Sequence, residues 1–385
     1  MYQHDSLLLA PGPTTVPREI LERMNLPMTG HRTKEFSQII HQASRDLQTI
    51  FGAKHPVAIL TSSGTSALEA AMVNIANPED NIVIIVSGAF GDRFRKIASS
   101  YPFNAHIFEV EWGKGVDLKE FETYLNSLNV DIKAIFTQFC ETSTSVKHPI
   151  NELGKLVKAF NPDIYFIVDG VSIIGAVEVD MEEDNIDVLV SGSQKAIMLP
   201  PGAAFVAYND RAIERFKEVT TSRFYLDLNK YITSLNDDST PFTPAVSLIR
   251  GVQAYCDLIR EEKFENTIKR HEVCKTAVRE SLKALGMTLL VEDQFASPTV
   301  TAFVPNKDEV KQIKDELLSR FNITIAGGQQ HLKGTILRVG HMGKVSPNDM
   351  LQFISALEII LSEIRDESVI GKGVSKFQEV VNQYV

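Results

Sequence analysis

Between residues 55 and 210, short apolar, β-branched runs alternate with small-residue turns and longer amphipathic segments, the rhythm of βαβ units. The runs predict strands at 57–60, 81–86, 106–110, 134–139, 164–168, 187–190 and 204–208, with helices between them at 66–76, 93–99, 118–128 and 150–160. Several runs are apolar at every position, as strands of a mostly parallel sheet covered by helices on both faces must be. Seven such strands make one large α/β domain. After Thr243-Pro244 the pattern changes: 245–284 reads as one or two long helices with few turn residues. Strand-like runs come next at 287–291, 299–304 and 335–339, with a charged helix at 308–320 and a long helix at 348–365. This is a smaller α+β unit, and the tail after Asp366 has no clear assignment. The passage between the two units, near 245 to 260, contains no Gly/Ser linker and is expected to be a packed helix.

Composition narrows the class. The 385 residues are 44% hydrophobic and 23% charged, enough apolar surface for a large core and too little charge for a disordered chain. The net charge of −10 comes without Lys/Arg clusters, so neither nucleic acid nor an anionic membrane is an expected partner. Cys140, Cys256 and Cys274 are odd in number and widely spaced, which fits neither a disulfide framework nor a metal site and suits a reducing cytoplasm. The N-terminal stretch lacks the basic region of a signal peptide, and no window approaches the roughly 18 apolar residues of a membrane span. A soluble cytoplasmic protein is expected.

In an open parallel sheet, ligands sit beyond the C-terminal ends of the strands, so the loops there are the place to look for chemistry. After Leu60 comes Thr61-Ser62-Ser63-Gly64-Thr65-Ser66 before an Ala-rich helix. Small residues at a helix N-terminus offer N–H groups to an anion, although an ordinary capped helix, with Ser66 and Glu69 as a capping box, would read the same way. Asp169 emerges from the buried run 164–168, where a carboxylate can pair with a cationic ring nitrogen or a metal, or merely cap a helix. Lys195 comes after the run 187–190, a costly place for a lysine unless its pKa falls or it is covalently engaged. Taken jointly, an anion cradle, an acid and a lysine in one α/β domain are the parts that hold pyridoxal phosphate.

The sequence resembles the class V aminotransferases of pyridoxal-phosphate fold type I, in particular the alanine–glyoxylate, serine–glyoxylate and serine–pyruvate branch. The segments that carry the likeness are APGPTTVP (10–17), TGHRTKEF (29–36), SSGTSALEAA (62–71), SGAFGDR (87–93), ETSTS (141–145), VDGVS (168–172), SGSQKAIMLPPG (191–202), FTPAVSL (242–248) and AGGQQHLKGTILRVGHMG (326–343). The resemblance implies an N-terminal arm (1–20) contributing to the active site and the small domain, a large cofactor domain (21–255) and a small C-terminal domain (256–385). It implies that Lys195 binds the cofactor covalently and Asp169 pairs with its ring nitrogen. Ser63, Gly64 and Thr65 then form part of the phosphate cradle, with Gln194 beside the lysine. Phe90 lies over one face of the ring, Val171 against the other, and Thr142 near the phenolic oxygen. Thr240 and Thr243 reach the phosphate of the neighbouring subunit in a homodimer with shared sites. For the substrate, Arg338 takes the α-carboxylate, and Gly12 and His31 line the pocket. The departures are Ser145 where the motif commonly has Gly, Gly170 where relatives often have Ser, and Thr240 where many have Tyr.

The activity implied by the resemblance is amino transfer from serine, alanine or aspartate to glyoxylate or pyruvate, ping-pong through pyridoxamine phosphate. The alternatives are a 2-aminoethylphosphonate–pyruvate aminotransferase, a lyase such as a cysteine desulfurase, which needs a mobile cysteine late in the chain where none occurs after Cys274, and a non-catalytic subunit of a complex. No metal is expected, His331 and His341 being read as structural. Trp112 is expected to pack at the core or its edge, and the charged faces at 261–265 and 308–316 to be solvated.

Overall fold

The computed structural model describes residues 6–384; the first five residues of the expected arm lie outside that range. The large sheet contains β1 (Ala58–Leu60), β2 (Asn81–Val86), β3 (Asn104–Glu109), β4 (Ile132–Gln138), β5 (Tyr165–Asp169), β6 (Val188–Gly192) and β7 (Ala204–Tyr208). Their order is β1-β7-β6-β5-β4-β2-β3; β7 runs antiparallel to both neighbours and the other pairings are parallel. Strands β4 to β7 are buried almost throughout, which is why their sequences carry no polar alternation. β3, at the sheet edge, begins earlier than its apolar run, because Asn104 pairs with Asn81 and extends the ladder into exposed polar residues.

The 245–284 stretch is two helices, Val246–Glu262 and Phe264–Ala284, broken at Lys263, whose φ is 68°. Beyond them Thr288–Leu289, Val300–Val304, Leu337–Gly340 and Ala326–Gly327 form an antiparallel sheet in that order. Helices Glu309–Phe321 and Pro347–Ile364 pack against each other there, the second opened by a Ser346/Asp349 capping box with proline in its first turn. The tail, which the sequence pattern left unassigned, contains another helix, Lys372–Val381, which packs on Phe264–Ala284 through a face that buries Gly373, Phe377 and Val380. Its start is held by Glu358, a buried carboxylate that accepts from the N–H groups of Gly371, Gly373 and Val374.

Two apolar clusters result. One gathers residues from Ile20 to Ile259, with Val300 and Met342, around the large sheet; the other gathers Leu9 with residues from Cys274 to Val380. Leu9 belongs to the second because strand Leu7–Leu8 pairs in parallel with Ile323–Thr324. The charged faces are less solvated than their composition suggests. Glu309 is buried against Arg365 at 2.8 and 3.0 Å, and Glu262 pairs with Arg270 at 2.6 and 2.9 Å. Among the described residues no helix is long and apolar enough to cross a membrane, and no group of His, Cys, Asp and Glu is placed to hold a metal ion.

Candidate active site

Lys195 lies in the turn after β6. The turn is tight: Ser193 donates its N–H to Ala203 O and its hydroxyl to Pro200 O, and Met198 N–H closes on Lys195 O at 2.9 Å. The lysine side chain, 8% exposed, is thereby turned toward the N-terminal arm, where Nζ donates to Pro11 O at 2.5 Å. The arm is fixed against the turn in return, Thr14 donating its hydroxyl to Lys195 O and its N–H to Gln194 O. Gly12 has φ +91°, and a Cβ there would stand 2.4 Å from Lys195 Nζ, so the lysine occupies the space a side chain would need. Burial, and secondarily the Arg338 charge, lower the Lys195 pKa to about 8.

Asp169 closes β5 beside β6, aligned with Val190, and is 4% exposed. Its Oδ1 accepts the Val171 N–H at 2.8 Å. Burial raises its pKa to about 7, with the buried Glu141 adding to the rise and Arg93 and Lys195 opposing it. Asp169 and Lys195 thus lie near enough to act on each other's protonation.

The helix after β1 is Gly64–Ile75, with Ser63 as its N-cap and no side chain bonded there. The expected capping box does not form. Ser66 is already in the first turn and returns its hydroxyl to Ser63 O at 2.9 Å, while Glu69 accepts from the Tyr101 hydroxyl at 2.5 Å. Ser66 N–H is also bonded to Ser63 O, at 2.9 Å, so among the described residues the N–H groups of Gly64 and Thr65 are the ones left available for an anion. A Cβ at Gly64 would meet Val171 Cγ2 at 3.0 Å, and one at Gly192 would meet Gln194 Oε1 at 3.4 Å, so Gly64, Val171, Gly192 and Gln194 border one space.

Arg338, on the interior strand Leu337–Gly340 of the small sheet, reaches the turn that follows β4 of the large one: Nη1 donates to Thr142 O at 2.8 Å, while Nε donates to Gly327 O of the neighbouring small-sheet strand at 2.9 Å. Among the described residues, Nη2 has no acceptor. Burial lowers its pKa to about 10, which leaves it charged at neutral pH, with Glu141 countering the fall. Thr142 donates its hydroxyl to Ser172 Oγ at 2.6 Å. Ser145, with φ 67°, occupies a left-handed position where glycine carries no strain, and its hydroxyl accepts the Ala302 N–H at 3.1 Å. At Gly170 a Cβ would lie 2.5 Å from Ile174 Cγ1.

Phe90 opens helix Ala89–Ala98, and the Arg93 guanidinium lies 4.8 Å from its ring centroid while donating to the Thr65 hydroxyl at 3.3 Å. Among the described residues, no hydrogen bond joins Thr240 or Thr243 to the Lys195 cluster. The Thr240 hydroxyl is engaged with Phe242 O, and Arg32 clips the same loop through Ser239 Oγ and Thr240 O. His31 Nε2 lies 3.5 Å from the Thr243 hydroxyl, so those two residues face each other. His341 is buried between the Thr301 hydroxyl and Pro298 O, its pKa lowered to about 3 by burial, and the His331 ring packs on the half-buried Trp112 at 4.3 Å.

Two charged residues here carried no prediction from the sequence, Glu141 and Arg93. Both lie within segments that carried the family resemblance, ETSTS and SGAFGDR, but a glutamate in a polar loop and an arginine at the start of a helix suggest solvent rather than a site. The one local signal is that Glu141 stands just past the buried run 134–139.

A lysine with a lowered pKa, an acid held near neutrality and an uncapped helix start make separate demands on a ligand, and pyridoxal phosphate answers each of them with its aldehyde, its ring nitrogen and its phosphate. The fold and these groups define a pyridoxal-phosphate-dependent enzyme of fold type I. The family model described as aminotransferase class-V matches residues 7–346, and the chain belongs to that family. It is 37% identical over 363 residues to the soluble hydrogenase small subunit of a Synechococcus species, covering 94% of each chain. To the serine–glyoxylate aminotransferase of Arabidopsis thaliana it is 30% identical, over 98% of this chain and 96% of the other. The crystal structure of the ureidoglycine–glyoxylate aminotransferase of Bacillus subtilis superposes with a TM-score of 0.90 at 28% identity, covering 99% of both chains.

Proposed function

We propose that this aminotransferase moves the amino group of a small amino acid, with serine, alanine and aspartate as candidate donors, to glyoxylate or pyruvate, one site serving both half-reactions in turn. The observation that carries the reading is the convergence of Lys195, Asp169 and Arg338, close enough for the lysine to feel both other charges. Pyridoxal phosphate, when bound, supplies an electrophilic carbonyl and a ring that accepts an electron pair. The protein supplies the rest. Arg338 would bind the carboxylate shared by donors and acceptors through its free Nη2, with Gly12 beside Lys195 bounding the pocket, while His31, which faces Thr243, belongs with the shared-site loop. Lys195 Nζ would hold the cofactor and, once the donor has displaced it, would be the amine placed to take and return the donor's α-proton. Asp169 holds a proton at the ring nitrogen. The Gly64 and Thr65 N–H groups and the Ser63 hydroxyl would hold the phosphate beside Gln194, with Phe90, Val171 and Thr142 as the residues that would line the ring.

The desulfurase alternative is disfavoured because all three cysteines are buried, and burial raises the pKa of each thiol. Replacing Lys195 with Ala should abolish turnover and leave reversible cofactor binding through the phosphate site; sustained multiple-turnover transamination by that variant would overturn the assignment. Donor choice is read by adding serine, alanine, aspartate or 2-aminoethylphosphonate to the cofactor-loaded enzyme and identifying the oxo acid released.

The reading includes a homodimer in which Thr240 and Thr243 reach the partner's phosphate site. In its support, Phe224, 72% exposed, stands 5.7 Å from the Phe242 ring in the same loop region, an apolar patch of the kind that interfaces cover. Light scattering at assay concentration should give twice the chain mass, and a fully active monomer would remove the shared-site element.

A further inference from the structure

Glu141 is a buried carboxylate with four donors and, among the described residues, no cation bonded to it. Its Oε2 accepts the N–H groups of Phe90 and Gly91, both at 3.0 Å, and its Oε1 accepts the Ser143 N–H at 3.1 Å and the Ser143 hydroxyl at 2.5 Å. The Ser143 Oγ accepts in turn from Ala89 N–H at 3.0 Å. The first three N–H groups of helix Ala89–Ala98, which a cap residue would ordinarily satisfy, are thus all satisfied from the 141–143 turn. The helix cannot do this for itself: its N-cap is Gly88, where a Cβ would stand 2.4 Å from Glu141 Cδ. The same turn carries Thr142, whose carbonyl accepts from Arg338 Nη1. One turn therefore fixes both the helix that carries Phe90 in its first turn and the guanidinium of Arg338.

We infer that Glu141 is a positioning residue that holds the Phe90 ring at the cofactor face and, through the Thr142 carbonyl, holds Arg338 for the substrate carboxylate. The inference rests on the reading of Phe90 as the residue over the cofactor ring. Glu141 touches neither ligand; its effect passes through backbone N–H groups on one side and a carbonyl on the other. A glutamine of the same size would present an NH2 to N–H donors at one of the two carboxylate positions and would remove the charge that faces Arg338.

The test uses the full-length holoenzyme, with pyridoxal phosphate as the binding probe and L-alanine or L-serine as donor. Phe90→Ala is expected to weaken cofactor binding on the order of tenfold. Glu141→Gln is expected to weaken it by a similar factor and to raise the donor KM several-fold while kcat falls less, because charge-assisted hydrogen bonds to a positioning turn are lost. Glu358→Gln is the matched control: a buried carboxylate on three backbone N–H groups in the other core, expected to lower thermal stability and leave both ligand constants unchanged. If Phe90→Ala retains cofactor like the parent enzyme, the ring-stacking reading fails and this inference goes with it. If Phe90→Ala weakens binding but Glu141→Gln behaves like Glu358→Gln, the reading stands and the inference about Glu141 is overturned. Should Glu141→Gln not fold, Ser143→Ala tests the same bridge: a loss of about threefold in cofactor affinity supports the inference, and an unchanged affinity overturns it.

Discussion

Lys195 shows how much of an active site is set by the neighbours of one side chain. Its amine is buried, faces Arg338 and rests on a backbone carbonyl, and the outcome is a pKa near 8 instead of the ordinary 10.5. The sign has a kinetic meaning. Below pH 8 the amine is increasingly protonated and cannot attack an aldehyde; above pH 8 it is free. In the cofactor-free protein, capture of pyridoxal phosphate, trapped by borohydride and followed by mass, should therefore rise with pH to a plateau with its midpoint about 8; a midpoint at the ordinary lysine value would refute the burial argument. Lys195 and Asp169 were legible as candidates from the sequence because each stands at the end of a fully apolar run, where ligands of a parallel sheet sit; the family resemblance, and not the run itself, chose the cofactor role over a capping or solvated one. Glu141 was not legible, because among serines and threonines it reads as a solvated turn, and only the fold reveals that the helix start beside it lacks a cap of its own. The Ser66/Glu69 expectation failed for a related reason: a capping box requires its serine outside the helix, and which of Ser62, Ser63 and Ser66 lies outside is decided by where β1 ends.

Among the elements, the parallel strands were the most readable, since burial on both faces removes polar residues from them. Edges and joints were less so. β3 extends past its apolar run, and 245–284 left open whether there were one or two helices, because Lys263, which breaks them, is no turn former. A left-handed lysine is strained, and Lys263 is exposed, with no hydrogen bond from its side chain among the described residues. Lys263→Gly should stabilise the protein by about 0.5 kcal/mol, the relief of strain being offset in part by the greater entropy of glycine in the unfolded chain. A lowered thermal midpoint would show that the side chain, and not the backbone, governs this joint. The helix Lys372–Val381 escaped prediction because its start is held by the distant Glu358 and not by a cap of its own.

For the molecule as a whole, the decisive arrangement is that Arg338 is carried by the small sheet while Lys195 and Asp169 are carried by the large one. On the proposed reading, substrate binding and bond chemistry are therefore borne by different cores. Arg338→Leu should raise KM for both the amino donor and the oxo-acid acceptor by about tenfold to a hundredfold, the usual loss for a charge-assisted pair. An unchanged KM for both substrates would place the carboxylate anchor elsewhere. No periodicity argument could foresee this meeting, because it joins residues far apart in the chain through two separately patterned sheets; the family resemblance supplied it.

The N-terminal arm has a consequence for how the enzyme can be damaged. Leu7 and Leu9 hydrogen-bond to the edge at Asn322 and Thr324, Gly340 N–H is held by Leu9 O, and a few residues later Pro11 and Thr14 are bonded to the lysine turn. The arm is thus a strap buckled at both ends, with Lys195 beneath it. A protease that nicked the chain at Thr15 would cut no core helix and no strand of the large sheet, yet it would untie the strap from its anchor on the rest of the polypeptide and leave a backbone carbonyl of the catalytic pocket held only by noncovalent pairing. A cut that spares every folded layer would thus still reach the pocket.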